Sequence, residues 1–178
     1  MPNHVRNVLT FNNLKPLDIR FLLDTITEPI DKLGEHLAID FNKIIPQPGS
    51  ESDCPNKYKV NKDSHITPEI RKPWLDWYKW NCDHWGTKWN AYDAYIITGK
   101  SYIKFIFNTA WSTPQPVIEQ LKLLRYNFNL KYADEDLGSN CGQMIYNPNK
   151  TGFSDIVHIC EKDMVDSYKF AKRLWKTY

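Results

Sequence analysis

No stretch of this chain is apolar over the roughly 18 residues that a helix crossing a bilayer requires. The opening residues, Met1-Pro2-Asn3-His4-Val5-Arg6-Asn7, lack a hydrophobic segment, so no signal peptide is expected. Cys54, Cys82, Cys141 and Cys160 stand far apart with no C-x-x-C pair, which suggests neither a zinc ribbon nor a disulfide framework. These absences point to a cytoplasmic protein with free thiols and no membrane association. A net charge of +2 is too small to imply nucleic-acid binding from composition alone.

Catalytic signatures are missing as well. There is no G-x-S-x-G, Walker A, H-E-x-x-H or G-x-G-x-x-G sequence, so no catalytic residue and no cofactor is assigned. His4, His36, His65, His84 and His158 are scattered. Only His84, two positions after Cys82, suggests a metal pair, and a zinc site needs three or four ligands, so no metal is expected. Asp134-Glu135-Asp136 reads as a solvated acidic turn, although adjacent carboxylates can also hold a cation.

What the chain does have is aromatic surface. Five of its seven tryptophans fall between Trp74 and Trp89. Each buried ring removes about 150–250 Å² from water, so this stretch should organise the packing around it. With 178 residues, 42% hydrophobic and 25% charged, residues 1–178 read as one globular domain.

Val5 to Phe11 alternates loosely and is rich in β-formers, a first strand, and Pro16 opens a helix carrying Leu17, Phe21, Leu22 and Ile26, ending near Glu28 before Pro29. Leu33-Gly34 closes a further turn, and Leu37 to Ile45 reads as a second strand. Residues 50–91 form a polar loop followed by a Trp-rich helical insertion. Thr67-Pro68-Glu69 starts that helix, and Ile70, Trp74, Trp77, Tyr78 and Cys82 share its face. Tyr92–Thr98 and Tyr102–Thr109 are strands around Gly99-Lys100, with Ile103, Phe105 and Phe107 on one side.

Thr113-Pro114 opens a helix with Val117, Ile118, Leu121 and Leu124, capped by Ser112 or Thr113. Strands at Phe128–Tyr132, Gln143–Tyr146 and Ser154–Ile159 follow. A closing helix over 161–177 turns Met164, Val165, Tyr168, Ala171, Leu174 and Trp175 inward. Its basic residues, Lys162, Lys169, Lys172, Arg173 and Lys176, read as a solvated face. The order predicts an α+β, ferredoxin-like split βαβ sheet, mostly antiparallel, with helices on one face.

Five blocks together resemble one family. They are Met1-Pro2-Asn3-His4 with Asn7; Phe41-Asn42-Lys43-Ile44-Ile45-Pro46-Gln47-Pro48; Trp77-Tyr78 with Trp85-Gly86-Thr87-Lys88-Trp89-Asn90-Ala91; Phe107-Asn108-Thr109-Ala110-Trp111-Ser112-Thr113-Pro114; and Gly138 with Cys141-Gly142. The pattern is similar to the YubB ferredoxin-like domain proteins of bacteria, plasmids and phages. That resemblance implies a ferredoxin-like fold and a phage, plasmid or bacterial accessory setting, and no established activity. The last thirty or so residues depart from it.

Trp85, Thr87, Lys88, Trp89, Asn90, Trp111 and Ser112 are the candidate binding residues. Two readings of Trp85–Trp89 stand: a loop presenting a lysine between rings to a partner, or a helix-to-strand corner pinned in the core. The favoured expectation is a module that binds a protein partner. The alternative is a nucleic-acid-binding accessory protein using sheet aromatics with Lys88, Lys100 and Lys104. An unrecognised enzyme, drawing on Asp93, His84 or the acidic trio, ranks third.

Overall fold

A computed structural model describes residues 3–30, 36–48, 77–149 and 164–177. The expected turn at Leu33-Gly34, the polar loop from residue 50, the Thr67-Pro68 helix start and the strand at 154–159 lie outside the described residues.

Strand β1 (His4–Asn12) is the centre of the molecule. It pairs antiparallel with β5 (Tyr102–Ala110) on one side and β6 (Phe128–Asp134) on the other. β4 (Tyr92–Thr98) flanks β5 and β7 (Cys141–Tyr146) flanks β6, giving the order β4-β5-β1-β6-β7. β1 and β4 both oppose the strand between them, as do β5 and β6, which is the interleaved βαβ arrangement of a ferredoxin-like fold. β7 extends it by a fifth strand.

Period-two alternation sends Val5, Leu9, Phe11, Ile103, Phe105, Phe107, Phe128 and Leu130 to one face, where they form the main core. Helix α1 (Pro16–Ile26) covers it with Leu22 and Ile26, supported by Ile19 and Leu23. The predicted face of α1 is therefore rotated: Leu17 and Phe21 are exposed, because residues 19, 22, 23 and 26 satisfy the same helical spacing. The helix ends two residues earlier than expected. Thr27 Oγ1 donates to Leu23 O at 2.7 Å, and Thr27–Pro29 becomes β2, paired with β3 (Leu37–Ile39).

The second strand expected over 37–45 is cut short. Asp40 Oδ1 accepts the Asn42 N–H at 2.9 Å and so caps the short helix α2 (Phe41–Ile44). Phe41 is fully buried, edge-on to Phe107 and Trp85. Helix α3 (Trp77–His84) buries Asn81 and packs Trp80 on the core, whereas Trp77 and Tyr78, expected to share a face with Cys82, are partly exposed. After β5, α4 (Gln115–Leu121) and a 3₁₀ turn (Lys122–Leu124) return the chain to β6.

The closing helix α5 (Met164–Thr177) packs on the opposite face of the sheet, where Ala171 and Leu174 meet Val8, Ile106, Ala133 and Cys141. Its inward stripe is Ser167, Ala171 and Leu174, while Val165 and Tyr168 stay exposed. Trp175 Nε1–H donates to Ala133 O and Asp134 O at 3.1 and 2.9 Å, fixing the helix across β6. Gly138 (φ +124°) lets the preceding turn pass beside the helix, where a Cβ would lie 3.3 Å from the Tyr168 nitrogen.

The acidic trio is not a plain solvated turn. Glu135 accepts the His4 N–H at 2.9 Å, and Asp136 accepts from the Asn3 amide, so both secure the start of β1. Asp134 is buried, with Ser139 donating to it at 3.0 Å. Burial holds its carboxyl above the ordinary carboxylate value, against the opposing pull of the Ser139 bond. The folded state thus binds this proton more tightly than the unfolded chain, so stability is fullest with Asp134 protonated and falls as pH rises through the raised value. Thermal melts of wild type and Asp134→Asn should show wild type gaining relative to the variant as pH drops from neutral toward the ordinary carboxylate range. A difference that does not change with pH contradicts the assignment.

Candidate functional site

The loop between α3 and β4 is stitched down at both ends. The Asn81 carbonyl accepts from the Trp85 and Gly86 N–H groups at 2.8 and 3.1 Å, and its side-chain amide donates to Lys88 O at 2.8 Å. Gln47 Nε2 closes the set by donating to Asn81 Oδ1 at 3.0 Å. Gly86 takes φ +76°, and a Cβ there would sit 2.6 Å from the Pro116 ring. Only glycine fits this left-handed, crowded position.

Four of the seven candidate residues serve the scaffold. Trp85 is 4% exposed, edge-on to Phe41 and Trp80, and its indole N–H donates to Ile45 O at 2.9 Å. Thr87 is buried; its hydroxyl donates to Ala110 O at 2.9 Å and accepts the Ala110 N–H at 3.1 Å. Asn90 Oδ1 accepts the Phe41 N–H at 2.9 Å, and its amide donates to Asp40 Oδ1 at 2.5 Å, joining α2 to β4. Ser112 Oγ donates to Gly86 O. For Trp85 and Thr87 the corner reading holds, because their polar atoms are consumed by backbone partners.

The other three candidates come together at the surface. Lys88 Nζ lies 4.8 Å from the Trp89 ring, 5.2 Å from Trp111 and 5.7 Å from Tyr78. Trp89 is 37% exposed, while Trp111, Tyr78 and Trp77 are each 43% exposed. Tyr78 stands edge-on between Trp77 and Trp111 at 6.1 and 5.9 Å. Trp111 adopts φ +71°, a left-handed conformation that costs a non-glycine residue roughly 1–2 kcal/mol. Its N–H donates to Asn3 O at 2.8 Å and its carbonyl accepts from Asn140 at 3.1 Å, which holds the strained residue in place.

Beneath this patch runs a buried polar chain. Asn7 donates to Val5 O and Thr109 Oγ1 at 2.9 and 2.8 Å, and accepts from Thr113 Oγ1 at 2.7 Å. Thr113 is thus spent on Asn7 and does not cap α4, whose N-cap is Pro114 with no side-chain bond. On the flank, Tyr92 OH donates to Thr109 O at 3.2 Å and meets His4 Nδ1 at 2.5 Å. Burial, with Asp93 and Glu135 nearby, pushes the Tyr92 phenol up to about 12. His84 stacks flat on Trp80 at 4.3 Å.

Sequence reasoning did not anticipate Asn81 or Asn7 as pins, nor Trp77 and Tyr78 as surface rings. The signal for Asn81 was a polar residue one helical turn before a glycine-bearing corner, where helix-end carbonyls and loop amides need partners.

Comparison with known protein families finds a match. The family described as a ferredoxin-like domain in Api92-like protein covers residues 84–174, just over half of the chain. No curated protein and no solved structure matches.

Thr87→Val strands both backbone groups of Ala110 and should cost about 1–3 kcal/mol in urea unfolding. Trp85→Ala should cost about 3–5 kcal/mol. Trp89→Ala should change stability by no more than about 1 kcal/mol, since its ring is not core. Equal losses for Trp85→Ala and Trp89→Ala would contradict this division.

Proposed function

The chain belongs to the family of ferredoxin-like domains in Api92-like proteins, and from that premise we propose that it is a binding module that captures a protein partner through the patch formed by Trp77, Tyr78, Lys88, Trp89 and Trp111. The observation that carries this reading is the convergence of three partly exposed rings, Tyr78, Trp89 and Trp111, on one lysine ammonium, with Trp77 edge-on to Tyr78 beside them. A contiguous aromatic surface of this kind marks an interaction site more often than an inert one. Aromatic anchors lose little side-chain entropy on binding and dominate hot spots. Lys88, held over the rings, adds a preference for an acidic or carbonyl-rich counterpart.

The strain at Trp111 supports the same reading, because left-handed non-glycine residues collect where function demands a particular geometry. The finer setting follows the motif resemblance: a YubB-like accessory protein of a phage, plasmid or bacterial locus, working in the cytoplasm. Cys82 is a free thiol, the state a reducing compartment maintains. Among the described residues no helix is long and apolar enough to cross a membrane. Flat rings beside a lysine also suit stacking on single-stranded nucleic acid, which is the second reading.

Affinity capture with the full chain should recover a defined protein that Trp89→Ala and Trp111→Ala each lose. Truncating an anchor of this type typically costs about 2 kcal/mol or more, near thirtyfold in affinity. Unchanged capture by folded variants overturns the proposal. A gel shift that weakens steeply with salt would favour the nucleic-acid reading instead.

A further inference from the structure

At the far end of β1, on the face covered by α5, lies a cavity of about 340 Å³. Its floor is built by strand register. Thr10 is flanked by Lys104 on β5 and Asn129 on β6, and Val8 is paired with Lys131 one row along. These residues alternate away from the main core, so the same pleat that buries Leu9 and Phe11 sends Lys104 and Lys131 into the cavity. Arg173 and Thr177 descend from α5, and Phe170, Leu174 and Val8 supply an apolar wall.

Among the described residues lining it, Lys104, Lys131 and Arg173 are cationic and none is acidic. Neither Lys131 nor Arg173 is paired with a carboxylate among the described residues. Asn129 Oδ1 is buried there with no hydrogen-bond partner among the described residues. Lys131 and Arg173, like charges on one concave space, raise the local potential for an anion, and Lys104, 5.5 Å from the Tyr102 ring, stands in the same wall. An unmet buried acceptor beside them calls for a donor that an occupant can bring.

We propose that this cavity is a phosphate site that takes the phosphoryl group of a small phosphorylated ligand. The Arg173 guanidinium suits the oxygen edge of a phosphate, which it can bind with two parallel N–H donors. Lys104 and Lys131 act as point charges from below, and Asn129 Oδ1 accepts a hydroxyl of the ligand. The volume matches the lower end of small-molecule pockets. The site stands at the opposite end of β1 from the aromatic patch, and shares no residue with it.

The full chain, isotopically labelled, is titrated at low salt with inorganic phosphate and, separately, with a sugar monophosphate and a nucleoside monophosphate, following backbone amide shifts. Saturable shifts centred on Thr10, Asn129, Lys131 and Arg173 are expected. Lys131→Gln and Arg173→Gln should each weaken binding by roughly tenfold. Lys172→Gln, the same charge change on α5 outside the cavity, should not. Tighter binding of a monoester than of inorganic phosphate assigns the source to an ester; the reverse assigns it to the free ion. No saturable shift into the millimolar range overturns the proposal. So does binding unaffected by Lys131→Gln and Arg173→Gln in variants whose spectra remain folded.

Discussion

The hydroxyl of Thr87 occupies both backbone hydrogen-bonding groups of Ala110, and so a loop that is not a strand docks on the end of β5 as though it were one. Everything around it follows from that closure. With residue 87 fixed, Gly86 must pass close to Pro116 and Trp85 must enter the core beside Phe41. Lys88 and Trp89 then emerge on the outer side, within reach of Tyr78 and Trp111. One buried threonine therefore divides a run of aromatic residues into a part that holds the fold and a part left available for contact.

The sheet beneath is buried by different means on its two faces. On one, rings from β1, β5 and β6 form a wide apolar core under α1 and α4. On the other, α5 covers a narrower strip around Val8, Ile106 and Ala133, anchored by Trp175. Arg6 lies over the Trp175 ring at 4.9 Å, so the polar edge of that strip also helps seat the helix. A strip too narrow to cover the whole face leaves the sheet open toward Asn12, and the cationic cavity lies there.

The ferredoxin-like architecture was legible because its strongest determinant is the strand pattern: β1 alternates loosely between Val5 and Phe11, and β5 sets Ile103, Phe105 and Phe107 on one face. The helical faces were harder to read. In α1 the set 17, 21, 22, 26 and the set 19, 22, 23, 26 both fit helical spacing, and packing against the sheet chose the second. Asp40 ended β3 through a side-chain cap, a local competition that apolar patterning does not reveal. At the site, the sequence located the corner but could not tell Trp85 from Trp89. Both are tryptophans four positions apart; only the bond from Trp85 to Ile45 and the turn at Gly86 send one inward and the other out.

Hydrogen exchange at the indole N–H groups of the intact chain, read by nuclear magnetic resonance, tests this division of the tryptophans most directly. The Trp85 and Trp175 indoles, each bonded to a backbone carbonyl, should exchange slowly, at rates tied to unfolding of the core. The Trp89 and Trp111 indoles should exchange at nearly the rate of a free side chain. A Trp85 indole that exchanges as fast as that of Trp89, or a Trp89 indole as protected as that of Trp85, would contradict the account.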